Sequence, residues 1–153
     1  MTGRTTSPAR VPRHVAIFSR ILKVVVAAGV PLGYNRIVTI RGRKTGEPRD
    51  VALAVVEVSG RRWVWAPWGD VNWVRNLRAA GRATIRDRGA DVEVVATELD
   101  RPQRVAFFRD TLAPIARSIP LGFLLVRVVD GVDLNDPDEA ADGRVAFELQ
   151  PMR

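Results

Sequence analysis

The sequence predicts an α+β fold in which about six mostly antiparallel strands form a barrel or sheet, with three helices added. Short apolar segments rich in β-branched residues follow one another with tight turns between them, which is typical of hairpins. Most of these connections are too short for the helical crossover that parallel strands require. The length of 153 residues, 46% of them hydrophobic, suits one domain with a substantial core.

The first 34 residues divide into two predicted parts. Residues 1–12 are rich in Thr, Ser, Pro, Gly and Arg and predict a disordered lead-in, so the single domain spans 13–153. Residues 13–28 predict a helix with one apolar face and a basic stripe formed by Arg13, Arg20 and Lys23. Two interpretations stay open: this helix covers one end of the core, or it contacts an anionic membrane surface or closes over a pocket.

The remaining elements follow from local patterns. Strands are predicted at 37–41, 50–58, 62–66, 83–86, 91–98 and 145–149. A short helix over 71–80 ends at Gly81, and Asp100 caps a second helix that runs from about 101 to 118. The apolar segment 121–129 fits a strand or a helix. The acidic segment 130–143 departs from the EF-hand pattern and is expected to be a solvated loop.

Composition excludes several classes of enzyme. The chain has no cysteine and a single histidine, His14, so thiolate chemistry and the common zinc or iron sites are not supported. No serine lies in a Gly-x-Ser-x-Gly segment, and neither a dinucleotide-binding nor a P-loop glycine pattern is present. We therefore expect no metal, and no side chain stands out as catalytic.

The positive charge is concentrated in the first third of the chain. Residues 1–49 hold ten cations against one anion, whereas the rest holds fourteen cations against sixteen anions, which together give the net charge of +7. Nucleic acid, phospholipid headgroups or a phosphorylated cofactor would each suit such a region. Nucleic acid is disfavoured because no aromatic residues are interleaved with the basic ones.

The most informative segment is the turn between the first two strands. Four cations lie within nine residues, at Arg41, Arg43, Lys44 and Arg49. Backbone N–H groups of Lys44, Thr45 and Gly46 at the tip would form a concave anion-binding turn, and guanidinium groups would strengthen it. The alternative is an exposed basic hairpin tip without a ligand.

The four tryptophans lie within eleven residues. Trp63 and Trp65 share one face of their strand and are expected to be core residues. Trp68 lies in a Pro-Trp-Gly break, and Trp73 lies on the helix that follows. Either could pack in the core or form the floor under a flat ring.

Two segments together resemble the deazaflavin-dependent nitroreductase family. They are Thr39–Arg49, which resembles a T-x-G-R-K-[ST]-G-x-x-R hairpin, and Asn72–Gly81, which resembles a W-x-x-N-L-x-A helix. The match covers residues 36–98 in order. This resemblance implies a split β-barrel and the cofactor coenzyme F420, an 8-hydroxy-5-deazaflavin with a phosphate and an oligoglutamate tail.

The resemblance also implies a set of binding residues. Arg43, Lys44, Thr45 and Arg49 would hold the phosphate and tail, with Gly46 in the same turn. Val51 and Ala52 would meet the deazaflavin ring through their backbone, and Trp73 and Asn76 would border its cleft. Trp68 is a further candidate for cofactor contact because of its place in the Pro-Trp-Gly break, not because of the resemblance. Because Tyr34 is the single tyrosine, the substrate class of relatives that use C-terminal tyrosines does not carry over.

The resulting expectation is an F420H2-dependent reductase of a small electron-poor acceptor such as a quinone, an enone or a nitro compound. Two alternatives stay open: a flavin mononucleotide (FMN)-dependent relative, and a binding protein that carries a deazaflavin or a lipid without turnover. We expect a cytoplasmic protein, with membrane contact through residues 13–28 as the open point. The physiological acceptor and the oligomeric state are not predicted.

Overall fold

A curled antiparallel sheet forms the body of the protein. The computed structural model describes residues 35–118, 126–127 and 130–152. Seven strands in these ranges pair in the order β2-β1-β5-β6-β7-β4-β3, and every pair is antiparallel. The strands are β1 (Asn35–Arg41), β2 (Pro48–Ala54), β3 (Val56–Val58), β4 (Arg61–Ala66), β5 (Arg82–Asp87), β6 (Ala90–Glu98) and β7 (Val145–Pro151). The predicted antiparallel barrel of an α+β fold is confirmed.

The strand predicted over residues 50–58 is two strands. β2 pairs with β1 at one edge of the sheet, and β3 pairs with β4 at the other edge. The chain crosses between the two edges at Val55, so one continuous apolar segment closes the half-barrel. Although the segment is almost wholly apolar, its two faces are not both buried, because Ala54 is exposed and Val51 and Ala52 are half-buried.

Four helices are described: α1 (Asn72–Ala80), α2 (Arg101–Ala106), α3 (Ala113–Ser118) and α4 (Pro137–Ala141). Asp100 caps α2 as predicted, in a reciprocal capping box with Gln103. A π-helical segment, Phe107–Leu112, joins α2 to α3. It ends two residues before Pro114, whose ring would clash with the carbonyl of Asp110 in an uninterrupted α-helix.

The acidic segment that the sequence predicts as a loop contains α4. The Asp136 carboxylate accepts a hydrogen bond from the Glu139 N–H and caps this helix. Ala140 and Ala141 are buried against the helical layer, which explains why the short helix forms.

Two hydrophobic clusters hold the molecule together. The barrel interior is filled from the strands and from α1, which contributes Val74 and Leu77 and so covers one end of the barrel. The second cluster joins the outer face of β4 to the helices, and its largest members are Trp63, Trp65, Phe107, Phe108 and Leu112. The prediction that Trp63 and Trp65 are core residues is confirmed.

The predictions for residues 1–34, including the lead-in and the basic helix, lie outside the described residues, as does most of the segment 121–129. Among the described residues, no helix has both the length and the apolar character needed to cross a membrane.

Candidate functional site

The turn between β1 and β2, which we call the basic hairpin (residues 41–49), is closed by its own backbone. The Gly42 N–H donates to the Glu47 carbonyl at 2.8 Å, and the Gly46 N–H donates to the Gly42 carbonyl at 2.8 Å. Gly46 adopts a φ of 74°, which favours glycine. A Cβ on Gly42 would lie 3.2 Å from the Glu47 oxygen, so glycine permits this tight closure.

Fewer backbone donors are available at the tip than the sequence predicts. The N–H of Gly46 is used inside the turn, so Gly46 supplies conformation and not a hydrogen bond to a ligand. Within the described residues, the amides of Lys44 and Thr45 have no hydrogen-bond partner. Two adjacent free N–H groups at a tight turn still form a concave site for an oxyanion.

Among the residues that the structure describes, the cations of the basic hairpin differ from most other cations in having no acidic partner. Nine arginines of the described residues pair with carboxylates, but Arg41, Arg43, Lys44 and Arg49 do not. All four are exposed. Their charge therefore remains available to an anionic ligand, with the exposed Glu47 the one acid of the turn.

Helix α1 lies against the basic hairpin and orients Arg43. The Arg43 N–H donates to Asn76 Oδ1 at 3.2 Å, and Arg43 Nη1 donates to the same oxygen at 2.8 Å. Arg43 Nη2 lies 3.5 Å from Asn72 Oδ1. Because both partners are neutral carboxamides, Arg43 is held in place without losing its net charge.

Asn72 was not among the predicted site residues. It lies four positions before Asn76 and therefore on the same face of α1. A pair of asparagines at this spacing after a helix start is the signal that would have found it.

An ion-pair network fixes α1 at its other face. Asp70 lies 2.8 Å from Arg78 Nη1 and 3.3 Å from Arg75 Nε, and Glu98 on β6 pairs with Arg78 at 2.7 Å. The hydrogen bond from Arg78 holds the pKa of Asp70 below its usual range. The helix that carries Asn76 is thus tied to both the loop before it and the sheet behind it.

The two remaining tryptophans occupy different surroundings. Trp73 is half-buried in the first turn of α1, and its ring centroid lies 6.4 Å from that of Phe147. Trp68 is half-buried too, but its ring packs toward Gly131, where an added Cβ would lie 3.4 Å from it. The buried Trp68 Nε1 has no partner among the described residues. The structure thus places Trp73 next to Asn72 on α1 and Trp68 beside the loop before α4.

Val51 and Ala52 lie on β2, an edge strand of the sheet. Only one side of β2 pairs with another strand, so alternate residues direct their backbone N–H and C=O groups to the open side. Both side chains are half-buried. An edge strand that leads away from the basic hairpin can offer backbone hydrogen bonds to a planar ligand.

The described residues contain no group of histidine and acidic side chains that could hold a metal ion. The exposed cations of the basic hairpin adjoin an open strand edge and an aromatic residue. These features define a split-barrel protein with a basic turn beside an edge strand.

The comparisons with known proteins identify the family. The family model described as F420H(2)-dependent quinone reductase matches residues 13–117, and the chain belongs to this family. It is accordingly an oxidoreductase. Among curated proteins, none matches the sequence significantly.

Solved structures confirm the split-barrel fold. A structure of an F420-H2 dependent reductase is 19% identical, and the match covers 76% of this chain and 94% of that chain with a TM-score of 0.54. A putative 5-nitroimidazole antibiotic resistance protein from Bacteroides thetaiotaomicron is 10% identical, with 88% and 80% covered and a TM-score of 0.54. At these identities the likeness concerns the fold alone.

Proposed function

We propose that this chain binds coenzyme F420 at the basic hairpin and passes a hydride from its reduced form to a small electron-poor acceptor. The acceptor class we favour is a quinone, which the family description names. The observation that carries the proposal is the set of uncompensated cations on a hairpin held by α1. A phosphate and an oligoglutamate tail together form a polyanion that such a hairpin suits.

The residues of the basic hairpin have different roles in this proposed binding. Lys44 and Arg49, which have no acidic partner among the described residues, supply positive charge. Arg43 supplies positive charge in an orientation fixed by Asn76. The amides of Lys44 and Thr45 supply directed donors to oxyanions. Gly46 allows the backbone to turn there. These donors fit the phosphate and carboxylate groups of the cofactor.

The ring of the cofactor would lie along β2. Because adjacent residues of β2 direct their backbone groups to opposite sides, either Val51 or Ala52 would bond to its polar edge from the open side of the strand. Trp73 and Asn76 would border it from α1. Bound F420H2 supplies the hydride from C5 of its deazaflavin ring. The protein contributes orientation and partial exclusion of water, since a close approach between donor and acceptor carbons governs the rate.

The proposal is tested by titrating the protein with F420 and with FMN, followed by an acceptor panel with F420H2. We expect saturable binding of F420, weaker binding of FMN, and reappearance of the absorbance near ~420 nm when menadione is added. Tighter binding of FMN would assign the protein to the flavin-dependent relatives. Binding of F420 without turnover of any acceptor would indicate a carrier.

A further inference from the structure

The barrel has a second end, which lies opposite the basic hairpin. Antiparallel pairing places the β3–β4 turn at Ser59-Gly60 and the β5–β6 turn at Arg88-Gly89 together at this end, which we call the distal mouth. A cavity of about 500 Å³ opens between these two turns. That volume lies within the usual range for small-molecule sites.

Charged side chains line the inside of the distal mouth. Arg36, Arg62 and Asp87 face the barrel interior, because each lies two positions along its strand from a fully buried core residue, namely Val38, Val64 and Ile85. Arg36 and Arg62 each approach the Asp87 carboxylate at 3.4 Å, and Arg62 also pairs with Glu57 at 3.0 Å. The result is a chain of ion pairs at the end of a hydrophobic interior.

This chain of ion pairs leaves hydrogen-bonding capacity unused. Asp87 Oδ1 is buried and, although Arg36 Nε lies 3.4 Å from it, has no hydrogen bond among the described residues. Arg62 uses Nε and one terminal nitrogen, which leaves Nη1 without a described partner. Arg88 also lines the cavity, and in the described part of the chain it forms no hydrogen bond or ion pair. Within the described ranges, Arg36, Arg62 and Arg88 line the cavity together with Glu57 and Asp87.

The backbone at Arg88 is left-handed, as it is at Ser59 in the other turn of the distal mouth. Arg88 has a φ of 51° and precedes Gly89 at 81°, which is the pattern of a two-residue hairpin turn with both residues left-handed. Asn, Asp or Gly suits the first position of such a turn, and a long side chain is strained there. Residues in such sparsely populated backbone conformations cluster at functional sites.

We propose that the distal mouth binds a small hydroxylated oxyanion, a carboxylate or a phosphate. Arg88 and Arg62 Nη1, which has no described partner, donate hydrogen bonds to the oxyanion. The buried Asp87 Oδ1 accepts a hydrogen bond from the ligand's hydroxyl group. A purely structural role accounts for the ion pairs of Asp87, but it does not account for an exposed arginine at a left-handed position beside a cavity. The site shares no residue with the basic hairpin and does not depend on the proposed function.

The test uses the full-length protein and three probes: malate, succinate and inorganic phosphate. Binding is measured by calorimetry for the wild type, for Arg88→Asn, and for Arg109→Ala as a control of equal charge change. Arg109 is exposed on the helical layer, and its side-chain hydrogen bonds go to the adjacent Asp110. Asn suits the left-handed turn, so the Arg88→Asn variant is expected to fold and to melt about 2 °C higher without ligand.

The proposal expects saturable binding of malate or phosphate, a roughly 10- to 100-fold loss in Arg88→Asn, and less than a twofold change in Arg109→Ala. Malate should bind more tightly than succinate, because only malate has a hydroxyl for Asp87. F420 affinity should be the same in Arg88→Asn and the wild type. No saturation by any probe up to about 10 mM, or equal affinity in Arg88→Asn, would overturn the proposal.

Discussion

At the scale of single residues, the basic hairpin differs from the rest of the surface in how its charges are compensated. Arg78 on α1 lies between Asp70 and Glu98, so its charge is neutralised locally. Arg43 bonds to neutral carboxamides, and neither Lys44 nor Arg49 has an acidic partner among the described residues. The arginine on α1 thus has a structural role, whereas the cations of the basic hairpin are available to a ligand.

Trp73 provides the first prediction at this scale. If the deazaflavin ring lies beside α1, bound F420 should quench the fluorescence of Trp73 most strongly. Trp73→Phe should then remove much of the quench in a cofactor titration, whereas Trp68→Phe should leave it nearly intact. The reverse result would place the ring near Gly131 instead of against α1.

Asp130 provides a prediction about pH. Desolvation raises the pKa of this half-buried carboxyl to about 6, against the opposing charge of Arg144. Because the folded-state pKa lies above the unfolded value, the carboxyl lowers the stability of the folded protein progressively as the pH rises from about 4 to about 6, and the loss stays constant above that.

Asp130→Asn should therefore raise the free energy of unfolding at pH 7 by up to about 3 kcal/mol and by much less at pH 4. Chemical denaturation of both proteins across this pH range measures the difference. An equal effect at pH 4 and pH 7 would show that the carboxyl does not titrate in this range.

The sequence predicts which residues belong to the site better than it predicts their ion pairs and hydrogen bonds. Lys44 and Arg49 can be assigned to a basic turn from the spacing alone. That Arg78 is neutralised by Glu98 cannot, because the two residues are 20 apart and meet only through the packing of α1 on β6. The internal use of the Gly46 N–H is likewise a result of how the turn closes.

At the scale of elements, α1 and the basic hairpin act as one unit. Asn76 lies 33 residues after Arg43, yet its side-chain oxygen receives both the backbone and the side-chain donor of that arginine. Packing of Val74 and Leu77 into the barrel interior fixes the helix on which Asn76 lies. The packed barrel interior therefore positions the exposed basic hairpin through α1.

Asn76→Asp tests this unit. The carboxylate keeps an acceptor for Arg43 but forms an ion pair with it, so the hairpin stays ordered while its net charge falls. We expect F420 affinity to fall about 10-fold with little change in melting temperature. An unchanged affinity would mean that Arg43 does not contribute charge to cofactor binding.

Element boundaries show which parts of the fold local sequence can predict. Asp100 and Gln103 indicate the start of α2 correctly, because a capping box is a local structure. The break at Val55 could not be predicted, since it depends on the sheet edges that β2 and β3 each reach. α4 was not predicted, because its five residues show no helical periodicity of hydrophobic residues. They form a helix because Ala140 and Ala141 are buried against the helical layer.

At the scale of the whole molecule, the two ends of the barrel differ. The basic hairpin and α1 lie at one end, and the distal mouth with its inward-facing ion pairs lies at the other. The interior between them is filled by aliphatic and aromatic side chains, so the two ends are separated by a packed core. Ligands at the two ends are therefore expected to bind independently.

The basic N-terminal segment is tested at the same scale. Its sequence predicts a helix that covers the acceptor side of the pocket or contacts an anionic membrane. Deletion of residues 1–30 should then change the KM for menadione, or abolish binding to vesicles that contain phosphatidylglycerol. If the melting temperature is kept and neither property changes, neither role applies.

The central claim is that the basic hairpin binds the anionic part of F420, and affinity measurements on matched variants test it most directly. A hydrogen bond to a charged group contributes roughly 1.5–3 kcal/mol, so Lys44→Ala and Arg49→Ala should each weaken F420 binding about 10- to 100-fold. The difference should shrink as salt is added. Arg109→Ala, with the same change in charge, should bind like the wild type. Equal F420 affinity in all three variants would contradict the account.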